Sequence, residues 1–181
     1  MLYAKKPAEV KSDLEVLLRN VQQIDISSAD IDIDFFKHYY DIFGPRQEMN
    51  ALNAADRLLS SFSDINYHTL FAHHGDESES RIYLNHFLAV SFGKKDPLEF
   101  GQEIKRAIEA LEIPLDNPDL KPRERRVEDG RLVVIDPKKI TVHIGISTYS
   151  GLNVNLPKLL GKTMEAEEKS KPVESKIVVL H

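Results

Sequence analysis

A run of alternating aspartates and isoleucines near the start of the chain, Asp30-Ile31-Asp32-Ile33-Asp34, limits how this protein can fold. Side chains of an extended strand point alternately to its two faces, so the run predicts isoleucines on one face and three carboxylates on the other. Three carboxylates on one face repel one another unless a cation lies among them. The run therefore predicts a strand that carries a cation site.

A second acidic segment lies downstream, at Gly75-Asp76-Glu77. Asp76 follows Asp32 by 44 residues, about the length that two helices and a returning strand need when their connections are short. Mg²⁺ is usually held by one or two carboxylates and keeps waters and phosphate oxygens as its other ligands. Asp32 and Asp76 together therefore predict a site for Mg²⁺, or for Mn²⁺, that serves nucleotide chemistry.

The composition excludes several classes of protein. With 181 residues, 41% of them hydrophobic and 29% charged, the chain is expected to form one globular domain rather than a disordered region. A net charge of −5 argues against a general nucleic-acid-binding surface and suits a free mononucleotide better. The absence of cysteine excludes disulfides, thiolate metal sites and cysteine nucleophiles. Without a membrane span or a signal-peptide core, the expected location is cytoplasmic, with no membrane contact.

Apolar residues recur at helical or strand spacing along most of the chain. The pattern predicts an amphipathic leading helix within residues 1–23, a strand that ends at Ile33, and two helices separated by Gly44-Pro45. A hairpin, a helix, a surface excursion, further strands and a last helix before a short edge strand are expected to follow. This order predicts an antiparallel-rich sheet with helices on one face, so that the other face can expose a site.

Two segments resemble signatures of the GGDEF family of diguanylate cyclases. The segment D-I-D-F-F-K, which begins at Asp32, and the segment D-I-F-G, which begins at Asp41, are similar to the family's first motif and match its spacing without a gap. T-V-H-I-G, which begins at Thr141, resembles the family's T-V-S-I-G strand. Residues 166–169 and 176–179 are weakly similar to its closing helix and last strand. The resemblance covers nearly all of the chain from Ile24 onward.

This resemblance implies an α+β fold, a palm of ferredoxin-like type with an antiparallel-rich central sheet and helices packed on it. It assigns residues 24–181 to the palm domain, with an insertion at about residues 114–138. The implied activity is that of a nucleotidyl cyclase or nucleotidyltransferase, which joins purine nucleoside triphosphates such as GTP or ATP into a cyclic di- or oligonucleotide. A symmetrical product needs two protomers that face each other, so a homodimer is expected.

The resemblance also implies roles for individual residues. Asp32 and Asp76 would bridge two metal ions, with the backbone carbonyl of Ile33 as a further ligand, so that phosphoryl transfer proceeds by two-metal catalysis. Glu77 would bind another group of the metal site or the edge of the nucleotide base. Asp34 would orient the metal site. Phosphate contacts would come from Lys37 and Lys169, whereas Tyr40 and Asp56 fall where the family recognises the base.

Two registers of the name-giving hairpin remain open. In the preferred register, Gly75-Asp76-Glu77 supplies the second metal carboxylate, because its distance from Gly44 fits the family. In the other register, residues 81–90 form that strand, Asn85 and His86 stand in the acidic positions, and the domain is catalytically dead. The departures from the motif at His74, Ser78 and Tyr40 favour a degenerate module that senses a nucleotide or contacts a partner protein.

The five histidines that lie near predicted strands, His68, His73, His74, His86 and His143, raise the question of a transition-metal site. Strand histidines on a solvated face are more common than ligands, and no helical pair of the zinc-enzyme type occurs among them. The sequence therefore favours solvated histidines over a zinc site.

Overall fold

The structure is a computed structural model that describes residues 5–19, 23–73, 83–93, 96–127, 129–152, 154–171 and 176–180. Within these residues, four helices and seven strands follow one another. They are α1 (Pro7–Leu18), β1 (Gln23–Ile33), α2 (Phe36–Ser61), β2 (Tyr67–His73), β3 (Tyr83–Phe92), α3 (Pro97–Glu109), β4 (Arg123–Arg126), β5 (Leu132–Ile135), β6 (Val142–Leu152), α4 (Leu156–Ser170) and β7 (Ile177–Leu180).

Five strands form the central sheet in the order β2-β3-β1-β6-β7. The pairs β2-β3, β3-β1 and β1-β6 are antiparallel, and only the edge pair β6-β7 is parallel. The acidic strand β1 therefore lies at the centre of the sheet, with β3 on one side and β6 on the other. The predicted α+β class and the antiparallel-rich palm architecture are confirmed.

The helix α2 is bent where the sequence predicts a break between two helices. Gly44 adopts a φ of 79° and a ψ of 175°, a conformation that glycine reaches without strain. Pro45 follows it and has no N–H to donate to the preceding turn, so the helical hydrogen bonds are interrupted here. Both helical segments pack on the same face of the sheet, where Tyr39, Leu52 and Leu59 are buried.

Helices cover both faces of the sheet. On one face, Ile31 and Ile33 of β1 belong to a core that includes residues of α2 and α3. On the other face, Ile26 of β1 belongs to a second core, to which α1 contributes Leu14 and α4 contributes Leu159. The prediction of helices on one face only was therefore wrong. The reason is that the acidic face of β1 also carries apolar residues, and burying them against α1 and α4 is favourable.

A separate hairpin of two strands lies outside the central sheet. β4 and β5 pair antiparallel, from Arg123 opposite Ile135 to Arg126 opposite Leu132. Both strands lie within residues 114–138, where the sequence predicts an insertion. The division into a leading helix and a palm domain with this insertion stays a prediction. Among the described residues, no helix is both long and apolar enough to cross a membrane.

Candidate functional site

The acidic row of β1 lies beneath α4 rather than at an open surface. Asp30 and Asp32 retain only 2% and 7% of their accessible surface. Asp34, directly after the strand, is half-buried. Burying carboxylates away from water is costly unless charged or hydrogen-bonding partners compensate, so the row requires partners within the protein.

Two histidines on the neighbouring strands provide those partners. Asp32 pairs with His86 of β3 on one side and with His143 of β6 on the other, so the three side chains share one face of the sheet. The Nε2 atom of His86 lies 3.5 Å from Oδ2 of Asp32, and the Nε2 atom of His143 lies 3.3 Å from the same oxygen. The Nδ1 atoms face Asp30, at 2.9 Å from His86, and Asp34, at 2.6 Å from His143.

The helix α4 adds a fourth carboxylate, that of Glu167, which is 1% exposed. Its Oε1 atom lies 3.0 Å from Nε2 of His143 and 3.3 Å from Nζ of Lys171. α4 can approach the sheet because position 145 is glycine. A Cβ atom at Gly145 would lie 2.0 Å from the backbone nitrogen of Glu167, which is closer than atoms can approach.

Positive charge on the histidine rings compensates the negative charge of the carboxylates within the cluster. Burial alone would lower the pKa of His143, but its hydrogen bonds to Asp32, Asp34 and Glu167 outweigh burial and raise its pKa to about 11. The pKa of His86 is raised as well, because the charge and hydrogen bond of Asp30 outweigh burial. The pKa of Glu167 is lowered by the hydrogen bond to His143 and by Lys171, despite burial. At neutral pH the imidazolium ring of His143 is therefore a cation among the carboxylates, and the raised pKa of His86 favours the charged form of its ring as well.

Asn85 completes the surroundings of Asp32, since its Nδ2 atom donates to Oδ1 of Asp32. Asn85 and His86 are the two residues that the second register places in the positions of the acidic pair. The preferred register depends on Asp76 and Glu77, and both lie outside the described residues, as do His74 and Ser78. Their roles stay predictions.

A cleft of about 350 Å³ opens beside the cluster. Its floor includes Asp32, Asn85 and His143, and one wall is the start of α2. The residue before α2, Phe35, has a φ of 54° and makes no side-chain cap, so the first N–H groups of the helix lack a capping partner from it. The turn between β4 and β5 contributes Arg131 to the lining of the cleft.

The structure brings some predicted site residues together and leaves others apart. Ile33, Asp34 and Lys37 line the cleft together with Asp32. Tyr40 and Asp56 of α2 and Lys169 of α4 do not line it. Asp56 instead lies 3.3 Å from Nε2 of His68, and Lys169 pairs with Glu165 at 2.6 Å.

Sequence reasoning missed His143 and Glu167 as residues of the site, and it placed His86 there only in the second register. The expectation that the strand histidines are solvated was wrong for His86 and His143, which are 1% and 6% exposed. Each interrupts an otherwise apolar strand of the kind that is buried on both faces, and this interruption was the available signal. A polar residue in such a strand requires a buried partner.

The donor atoms around Asp32 do not suit Mg²⁺. Asp32, His86 and Glu167 each offer one ligand atom within 4.8 Å of the others, so the cluster could hold a divalent cation. However, both oxygens of Asp32 already contact nitrogen donors. Mg²⁺ prefers six oxygen ligands and retains several waters, whereas imidazole nitrogens suit transition metals. The described residues therefore do not fit the magnesium site that the sequence predicts.

Comparison with known proteins identifies the architecture. No model of a known protein family matches the sequence, and neither does any curated protein. The fold resembles the GGDEF domain of DgcB from Caulobacter crescentus, solved in complex with c-di-GMP, with a TM-score of 0.65, 13% identity, and coverage of 98% of this chain and 89% of that one.

Two structures from Pseudomonas aeruginosa match similarly. The GGDEF domain of FimX matches with a TM-score of 0.63 and 14% identity, over 99% of this chain and 94% of that one. The diguanylate cyclase SiaD, in complex with its activator SiaC, matches with a TM-score of 0.61 and 14% identity, over 95% of this chain. This chain spans only 56% of the SiaD chain. At these identities the comparisons establish the fold, and the chain therefore has the fold of a GGDEF domain.

Proposed function

We propose that this domain is a nucleotide-sensing module that has the GGDEF fold and binds a phosphorylated purine compound without joining nucleotides. The observation that carries the proposal is the set of contacts around Asp32. Asn85 donates to one of its carboxylate oxygens, while His86 and His143 face the other oxygen at 3.5 and 3.3 Å. Asp32 is therefore engaged by protein groups at the position where a cyclase would bind its metal ions.

Phosphoryl transfer by two metal ions needs carboxylates that share the ions and remain within reach of the substrate. Among the described residues, Glu167 offers a carboxylate oxygen within 4.8 Å of Asp32, but Glu167 is 1% exposed beneath α4. A nucleotide phosphate in the cleft cannot contact a group at that depth. The opposite position on β3 carries His86, whose raised pKa favours the charged ring, and this ring repels a metal ion while it is protonated.

The cleft itself suits a phosphorylated ligand. Its volume of about 350 Å³ falls within the range of small-molecule sites. Lys37, Arg131 and Lys171 line it, and the start of α2 adds N–H groups and the positive end of a helix dipole. Because the GGDEF domain of DgcB was solved with c-di-GMP, we propose c-di-GMP, GTP and ATP as the compounds to test.

The catalytic alternative is a nucleotidyl cyclase that uses Mg²⁺ or Mn²⁺ and acts as a homodimer. One observation favours it, which is that Asp32, Ile33 and Lys37 line the same cleft, as the family motif implies. It also requires Asp76 to approach Asp32. If it does, Asn85 and His143 must leave the carboxylate before a metal ion can bind there.

Calorimetry with c-di-GMP, GTP and ATP tests the module, with one titration series in a chelator and one in Mg²⁺. We expect one compound to bind in both series, because cationic side chains and not a metal ion hold its phosphates. Lys37→Ala and Arg131→Ala should each weaken binding about tenfold, the typical loss of a charged hydrogen bond. Arg123→Ala is the matched control, because Arg123 lies on the same hairpin, is exposed and does not line the cleft.

Product analysis separates the two functions. Wild-type protein would be incubated with each labelled nucleoside triphosphate and Mg²⁺ or Mn²⁺, and the products separated by chromatography. The module predicts no cyclic or linear dinucleotide product. A product that forms with wild type and disappears with Asp32→Ala would refute the module and establish the cyclase.

A further inference from the structure

The buried cluster places several potential metal ligands close together. The Nε2 atoms of His86 and His143 approach from opposite neighbouring strands and face the same oxygen, Oδ2 of Asp32. Glu167 reaches this place from α4 and presents Oε1 at 3.0 Å from Nε2 of His143. Asp32, His86 and Glu167 each offer one ligand atom within 4.8 Å of the others, and His143 contacts the two carboxylates from β6.

Three separations between these atoms are close to those in a metal coordination shell. In a tetrahedral site with bonds of about 2.0 to 2.1 Å, neighbouring ligand atoms lie about 3.3 Å apart. Nε2 of His143 lies 3.0 Å from Glu167 and 3.3 Å from Asp32, and Nε2 of His86 lies 3.5 Å from Asp32. The ligand atoms of Asp32, His86 and Glu167 lie within 4.8 Å of one another, so these side chains must move closer together to complete such a shell.

Each histidine is also oriented as a metal ligand is. The Nδ1 atom of His86 lies 2.9 Å from Oδ1 of Asp30, and the Nδ1 atom of His143 lies 2.6 Å from Oδ1 of Asp34. A carboxylate that accepts the Nδ1 proton fixes the ring and directs Nε2 towards the metal, an arrangement that is general among histidine ligands. Asp30 and Asp34 therefore act as positioning residues for the two rings.

We infer that Asp32, His86 and Glu167, with His143 as the fourth ligand, form a buried site for one transition-metal dication of the zinc class, which binds Mg²⁺ poorly. The ion takes the place of the protons on Nε2 of the two rings, and these protons are released to solvent when it binds. Imidazole nitrogen combined with carboxylate oxygen is a donor set that zinc accepts and that magnesium does not favour. Because all four residues are at most 7% exposed, the ion joins β1, β3, β6 and α4 and has a structural role. This site goes beyond the proposed function, since the ion binds without a nucleotide, although Asp32 and His143 also line the cleft.

Metal binding by the full chain tests the inference directly. After treatment with a chelator, the protein would be titrated with Zn²⁺, Co²⁺ and Mg²⁺ at neutral pH, with calorimetry for affinity and absorption spectroscopy for the coordination of Co²⁺. We expect one Zn²⁺ or Co²⁺ ion to bind per chain, and the absorption spectrum of bound Co²⁺ to be typical of four-coordinate geometry. Zn²⁺ should bind at least tenfold more tightly than Mg²⁺. Absence of a Zn²⁺ signal from folded protein would overturn the inference, as would equal affinity for Mg²⁺.

Variants locate the ion. Glu167→Gln and His143→Gln remove ligands, and Asp30→Asn removes the acceptor that orients His86, so each should lower the Zn²⁺ affinity at least tenfold. His68→Gln is the matched control, because His68 is also a strand histidine beside a carboxylate but lies outside the cluster. If His68→Gln weakens Zn²⁺ as strongly as the three cluster variants do, the ion binds elsewhere and the assignment is wrong.

A measurement on wild-type protein tests the site even if the variants fail to fold. X-ray absorption at the zinc edge of the wild-type complex should show scattering from about two imidazole rings and from light oxygen ligands. A spectrum without imidazole scattering would refute the site. In that case the cluster is an ion-pair network in which the two imidazolium rings alone compensate the carboxylates.

Discussion

At the scale of single residues, Gly145 decides how closely α4 approaches the sheet. It lies opposite Asp30 on the neighbouring strand, directly beneath the turn of α4 that carries Glu167. A side chain at position 145 would meet backbone atoms and not the movable end of a side chain. The contact between Glu167 and His143 therefore depends on the absence of a Cβ atom two residues away, on the same strand.

The substitution Gly145→Ala should lower the free energy of unfolding by about 1 to 3 kcal/mol, the typical cost of overpacking a core. The new Cβ atom would lie 2.0 Å from the nitrogen and 2.4 Å from the Cα atom of Glu167, so α4 must move. Urea denaturation of both proteins measures the difference.

Gly161→Ala is the matched control, because Gly161 lies on α4 and an added Cβ atom there meets nothing within 4 Å. Alanine has the higher helix propensity, so this variant should gain up to about 1 kcal/mol. Equal effects of the two substitutions would contradict the close approach of α4 at Gly145.

The sequence predicted that the acidic row of β1 needs a positively charged partner, but it did not predict which groups supply the positive charge. Alternation alone places Asp30, Asp32 and Asp34 on one face, and repulsion among them implies a positive partner. The identity of that partner depends on which strands flank β1 and in which register they pair. Strand order is a property of the whole fold, so His86 and His143 could not be assigned to Asp32 from spacing along the chain.

At the scale of elements, the predicted helices and strands agree well with the structure, but the predicted layers do not. The break at Gly44-Pro45 and the strand at residues 67–73 depend on local chemistry that a sequence shows directly. An amphipathic pattern shows that a helix has an apolar side, but it does not show which face of a sheet that side will cover. For this reason the packing of α1 and α4 on the acidic face was not predicted.

The helix α1 gives a test of whether the second layer stabilises the domain. Leu14→Ala should lower the free energy of unfolding by about 2 to 5 kcal/mol, because Leu14 is 1% exposed in the core formed with α4 and β2. Leu17→Ala makes the same chemical change on the same helix at a position that is 47% exposed, and should alter stability by less than about 0.5 kcal/mol. Denaturant titration measures both, and equal losses would mean that α1 does not pack as described.

At the scale of the whole molecule, the fold brings together charges that the chain holds far apart. Asp30, Asp32 and Glu167 are all buried, and the compensating rings come from β3 and β6. A network of this kind is stable only while its partners keep their charges. The fold is therefore coupled to the protonation of two histidines, and its stability should depend on pH in a direction that the pKa shifts determine.

The pKa of His143 rises from 6.5 to about 11 on folding, which means that the folded protein keeps a proton that the unfolded chain releases. Below about pH 6.5 both states carry the proton and the stabilisation is complete. Above that value it declines by up to about 1.4 kcal/mol for each pH unit, until the folded form itself loses the proton. His86, whose pKa is also raised, adds a loss in the same direction.

In the presence of a chelator, the free energy of unfolding should therefore fall between about pH 7 and pH 9, as measured by urea denaturation at each pH. His143→Gln removes the ring that holds the proton, so the variant should be less stable at pH 7 and its stability should fall less steeply with pH. His68→Gln should keep the slope of the wild type, because His68 contacts Asp56 outside the cluster. Equal slopes in His143→Gln and the wild type would show that the protonated ring of His143 does not stabilise the buried carboxylates.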